Sequence, residues 1–200
     1  MKKLLFFANL LYGTFLFAQT PGGGVSDIKG KNYSTVIIGG QEWMAKNLDV
    51  DKFQNGDKIF EAQSPEDWMN AMGQEIPAFC YYDFNKRKYK RYGKLYNGYA
   101  LRDKRGLSPI GWHIATSTEW KKALMSFSME ILMHRLNIVD AGTHDPYGGS
   151  WGFNENIVRY WLGDKSDDER YLNSLSIEGE SKSFEERQIE SVFYIRCIKN

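Results

Sequence analysis

The sequence is poor in the residues that most often mark catalysis or metal binding. Among its 200 residues are two cysteines, Cys80 and Cys197, and three histidines, His113, His134 and His144. No histidine has a partner at zinc-type spacing, and no G-x-S-x-G elbow accompanies His144-Asp145. Glycine loops of the Walker or dinucleotide type are missing. The carboxylates Asp164, Asp167, Asp168 and Glu169 suit a hard cation such as calcium in chemistry, but their spacing is not that of an EF-hand, so a solvated acidic turn is the simpler reading. No metal and no cofactor is therefore expected. An excess of charge of either sign is also absent: 26 basic residues face 25 acidic ones. Nothing in that balance points to nucleic acid or anionic lipid. Past the first twenty residues no apolar run is long enough to span a bilayer.

What is present begins at the N-terminus. Lys2 and Lys3 precede a mostly apolar run from Leu4 to Ala18, the charged, apolar and small-residue order of a secretory signal peptide. A run of about 15 residues is short against the ~20 of a spanning helix. The expected organisation is a signal peptide over residues 1–18, a Gly/Pro/Ser-rich linker over 19–30 and one domain over 31–200. Cleavage after Ala18 leaves 182 residues with 24 basic against 25 acidic, enough chain for one substantial core. No cysteine follows the apolar run to carry acyl chains. The expected product is exported and soluble, in the periplasm or outside the cell.

Along the domain, Tyr33 to Ile38 is β-branched and aromatic and stops at Gly39-Gly40, a hairpin signal that leads into Glu42–Leu48 as a returning strand. Trp43 then anchors the core, with Glu42 and Lys46 in solvent. Asn55-Gly56 predicts a tight turn. Ser64-Pro65 opens a short helix through Ala71, and Ala78 to Asp83 reads as a strand. The basic run Asn85 to Arg91 reads as a solvated loop, with contact to an acidic partner as the other reading. Thr116-Ser117-Thr118-Glu119 is a capping box. Behind it Trp120, Ala123, Leu124, Phe127 and Ile131 keep helical spacing, which predicts one helix from about Ser117 into the 130s. Strands are expected at Val158–Leu162, Tyr171–Ile177, Ser183–Ile189 and Val192–Ile198. Strands at both ends with a helix between them give an α+β domain whose termini can pair in one sheet.

Strict alternation puts Phe193, Ile195 and Cys197 on one apolar face. An exported chain meets an oxidising compartment, where an even pair of cysteines commonly bridges. Two separate buried thiols are the other reading of Cys80 and Cys197.

Several motifs lie in order: Val36 to Leu48 (VIIGGQEWMAKNL), Asn55 to Ile59, Cys80 to Asp83, Tyr92 to Asn97, Pro109 to Thr116 with Glu119-Trp120, Tyr160-Trp161, and Tyr194 to Lys199 (YIRCIK). With these the chain resembles the Fibrobacter succinogenes major paralogous domain family, from about Tyr33 to Asn200. The resemblance implies a C-type-lectin-like fold related to the formylglycine-generating enzymes, with meeting terminal strands and a long irregular loop region. It also implies that Trp43 and Asn47 help to frame the domain, and that both cysteines stand at the family's cysteine positions, which adds to the bridge reading. After Phe153 the chain departs from the family pattern.

The function this suggests is a non-catalytic binding module for a glycan or a surface protein. Trp151, Asn154, Tyr160 and Trp161 would offer aromatic faces beside an amide. The Glu-Pro-Asn and Trp-Asn-Asp triplets of calcium-dependent lectins are absent. The alternatives are a structural subunit of a surface assembly and an oxidase like the formylglycine-generating enzymes.

Overall fold

Gly39 and Gly40 both have positive φ, 58° and 79°, the backbone that a two-residue hairpin turn needs to match strand twist. Around it Thr35–Ile38 pairs antiparallel with Gln41–Met44, Val36 opposite Trp43. Alternation along the return strand sends Trp43 and Met44 into different parts of the core, both without exposure. The C-terminal strand Cys197–Lys199 lies between this hairpin and Trp112–Ile114, with Ile198 opposite both Trp43 and His113. The two ends of the domain therefore close one four-stranded sheet.

The computed structural model describes residues 20–138, 143–144, 153–154 and 157–200. Its largest sheet runs in the order Ser181–Gln188, Tyr171–Glu178, Ile157–Trp161, Val192–Ile195, Leu95–Asn97, Ala78–Cys80 and Phe60–Glu61. Val192–Ile195 sits centrally and is buried on both faces. Val192 and Tyr194 join one cluster, Phe193 and Ile195 the other. The architecture is α+β. Among the described residues no helix is long and apolar enough to cross a membrane.

Side-chain caps fix the helices where the sequence places them. Ser64 accepts from the Asp67 amide at the start of Pro65–Gly73, which buries Trp68, Ala71 and Met72. The capping box forms: the Thr116 hydroxyl accepts from the Glu119 amide, and Glu119 accepts from the Thr116 amide at 2.8 Å. The helix behind it carries Trp120 onto Trp43, ring centroids 5.0 Å apart, and onto Tyr160 at 5.1 Å.

Three local expectations are corrected. The single helix into the 130s is two, Ser117–Ser126 and Met129–Arg135. Between them Phe127 is extended (φ −148°, ψ 160°), and the Ser128 side chain accepts from Ile131 N as a fresh cap. Serine competes with the helix for backbone groups, and here it wins. The basic run is helical rather than a loop: Asn85 caps Lys86–Tyr89, and Tyr89 is buried against Tyr82 at 4.8 Å. The expected linker carries sheet bonds instead. The Gly22 amide donates to Thr35 O, Pro21 bridges Val36, and Val25–Ser26 pairs with Asn32–Tyr33.

Candidate functional site

The expected aromatic ligand face does not exist at Tyr160 and Trp161. Both side chains are fully buried. Trp161 Nε1 donates to Tyr96 O at 2.7 Å, and the Tyr160 hydroxyl accepts from Arg196 at 3.3 Å. Parallel pairing with the central strand, Tyr160 opposite Tyr194 and Trp161 opposite Ile195, places neighbouring residues on two covered faces. Of the other two residues of that expectation, Trp151 lies outside the described residues, and Asn154 is described only as backbone in the short pair Phe153–Asn154 with Thr143–His144.

The bridge expected between Cys80 and Cys197 is also absent, since both are free and fully buried. The reason is the pleat. Cys80 enters the cluster that holds Leu95 and Tyr194, whereas Cys197 continues the Phe193 and Ile195 side into the other. Burial raises both thiols, that of Cys197 to about 12 even with the Arg196 cation beside it. A thiol so displaced supplies almost no thiolate at neutral pH.

Between these two layers lies Arg196, fully buried. Its guanidinium donates to Met44 O at 3.0 Å, Leu136 O at 2.8 Å and Asn47 Oδ1 at 2.6 Å. Asn47 in turn donates to Tyr92 O at 2.9 Å. The Trp-Met-Ala-Lys-Asn stretch thus receives the C-terminal strand's arginine on one backbone carbonyl and one amide. Glu42, expected in solvent, is held as well: it accepts from Thr35 Oγ1, the Gly23 amide and Lys199 Nζ.

Of the surface concavities among the described residues, two border the capped helix and the Lys46-Asn47 frame. The first, about 530 Å³, has Leu107, Ile114, Leu162 and Leu172 among its apolar lining. Gly163 holds its wall close. The Gly163 amide donates to Ala115 O, and a Cβ there would collide with the Ile114 carbonyl. Polar groups line the rim, and most are already fixed. Arg102 donates to the carbonyls of Asp168, Glu169 and Tyr171. Asp164 accepts from the Ser117 amide and hydroxyl, at the start of the capped helix. His113 is engaged at both ring nitrogens, by Asn200 and Glu119. Burial pulls the Glu119 carboxyl up, but the Thr116 amide and hydroxyl and His113 outweigh it and hold it below the usual value.

The acidic turn beside this groove does not converge on one point. Asp164 faces Ser117, and Asp168 faces Arg170, whose guanidinium and amide push its carboxyl down to about 2. Among the described residues no group of three His, Cys, Asp or Glu is placed to hold a metal.

The second concavity, about 210 Å³, lies between the Lys46-Asn47 segment and the basic run. Gly93 has φ 87°, and a Cβ on it would sit 3.0 Å from that of Asn47, so glycine is what lets the basic turn close against the frame. Sequence reasoning marked the basic run but not its juxtaposition with Lys46, which is some forty residues away. It missed Arg102 altogether, since no local pattern announces a guanidinium that binds three carbonyls.

No curated protein and no solved structure matches the chain. Residues 36–134 match the family model described as the Fibrobacter succinogenes major domain, so the family read from the ordered motifs is supported over that stretch.

Proposed function

We propose that the protein is an exported, non-catalytic binding module for a glycan or a surface protein, built on a C-type-lectin-like frame. The observation that carries this reading is the state of the groove beside the capped helix. Its polar rim is held in place by bonds to backbone carbonyls and cap amides, over an apolar floor. Such a surface is preorganised to meet hydroxyls and amides without reorganising. Reactive groups are poorly served by the same architecture, because both thiols are buried with raised pKa and His113 has no free ring nitrogen. The lectin-like frame draws support from the terminal strands meeting in one sheet. Export draws support from the order of charge, apolar run and small residue over residues 1–18.

The test is a panel of neutral glycans and surface proteins against the parent and a Lys165→Ala/Glu169→Ala variant. Both side chains line the groove and are exposed, so folding is unaffected by their loss. Binding by the parent that weakens about tenfold in the variant is the expected result. Binding that ignores the double substitution, or turnover of a panel member, overturns the reading.

A further inference from the structure

The basic pocket has an excess of positive charge that the fold does not neutralise. Lys31, Lys46, Lys90 and Arg91 line it, against the single carboxylate of Asp49. That carboxylate is already taken on both sides. Lys31 Nζ bonds its Oδ2, and the buried Lys94 bonds its Oδ1 at 2.6 Å. Among the described residues Lys46, Lys90 and Arg91 have no carboxylate within ion-pair distance. Like charges gathered without a counterion repel one another, and in a rigid pocket an anion relieves that repulsion.

Two of the cations are held in place, Lys31 by Asp49 and Arg91 by Tyr92. Arg91 stacks over the Tyr92 ring, 4.7 Å from its centroid, and bonds the Tyr92 hydroxyl. Tyr92 is fixed through its carbonyl by Asn47 Nδ2, and Asn47 by the buried Arg196. One end of the pocket is therefore tied to the domain's central clamp. Its volume of about 210 Å³ is about seven waters' worth at ~30 Å³ each, room for one acidic group and part of the ring that bears it. Arg87, exposed on the adjoining helical turn, adds a further cation to this stretch of surface.

We propose that this pocket seats a carboxylate or sulfate ester of an acidic polysaccharide, the neighbouring basic turn receiving the next charge along the chain. The proposal rests on the binding-module reading and adds to it a ligand class and a second site. Nucleic acid fits less well. Base stacking needs open aromatic faces, and here Tyr33 and Tyr89 are buried while Tyr92 is covered by Arg91.

Affinity is measured calorimetrically for the purified protein with polygalacturonate, heparin, neutral dextran, polyglutamate and single-stranded DNA, each at low and at moderate salt. The variant is Lys46→Gln/Lys90→Gln, two exposed residues, with the melting temperature as folding control. The carboxylated and sulfated arms tell which acidic group is preferred, and tight binding of either supports the proposal. The double variant is expected to raise that Kd at least tenfold, with a weaker salt dependence. Binding that ignores the substitutions, no binding of either glycan, or equal affinity for polyglutamate or DNA overturns it. Neutral-glycan binding that responds to Lys165 and Glu169, together with acidic-glycan binding that ignores Lys46 and Lys90, would retain the groove and sink the pocket alone.

Discussion

Replacing Arg196 by methionine tests the clamp on which the rest of the architecture depends. The side chains are similar in length, so the change removes the cation and its donors more than it removes volume. Met44 O, Leu136 O and Asn47 Oδ1 each lose a charged donor at 3.0 Å or less, and the site has no exposure through which water could replace it. A buried acceptor left bare costs about 1–3 kcal/mol, so three of them cost several. Relief from burying the guanidinium offsets part of this, which leaves a net loss of about 3 kcal/mol. Against a total stability of about 5–15 kcal/mol, that is a large fraction. Urea unfolding reports it as a lower midpoint at unchanged slope, and the melting temperature falls by about 10 °C. Tyr160→Phe removes only the 3.3 Å contact and loses no more than about 1 kcal/mol. If Arg196→Met unfolds within about 1 kcal/mol of the parent, the arginine is not the clamp and the account of the Trp-Met-Ala-Lys-Asn segment is wrong.

Denaturation without reductant releases two titratable thiols per chain, whereas the native protein reacts slowly with a thiol reagent; a denatured chain with no free thiol would restore the bridge. Thr116→Ala lowers stability by about 1 kcal/mol through the lost cap, read by urea titration. Because Glu119 is held below its ordinary value of 4.5, its contribution is complete above that value and fades as pH falls through the lower folded one. The stability gap between the parent and Glu119→Gln should therefore narrow between pH 7 and pH 3, and a gap that widens on acidification contradicts the cause assigned. Gly163→Ala forces a Cβ onto the Ile114 carbonyl and should cost about 1–3 kcal/mol while weakening ligand binding in the groove.

The parts of this molecule that the sequence made legible are those governed by neighbours within a few residues. The Gly39-Gly40 turn, the Ser64 and Thr116 caps and the alternation of Phe193, Ile195 and Cys197 depend on local backbone geometry, and each stands where local pattern puts it. Alternation places Cys197 with Phe193, and Cys80 enters the opposite cluster, so the pleat excludes a bridge. Failure came where a side chain's role is set by distant partners. Tyr160 and Trp161 look like an exposed aromatic pair only until Trp120 packs on the first and Phe193 on the second, and Glu42 looks solvated until Lys199 arrives from the far end of the chain. The basic run shows both kinds of outcome in one place. Its charge was evident in the sequence, but its meaning depends on Asn47, which receives Arg196 on its oxygen and holds Tyr92 with its nitrogen. One amide thus joins the buried cation of the core to the cationic pocket at the surface, so loosening the clamp should loosen the pocket. Asn47→Ala should therefore weaken acidic-glycan binding about as much as Lys46→Gln/Lys90→Gln does, although it removes no charge; binding equal to that of the parent would show that the pocket holds its shape without the core.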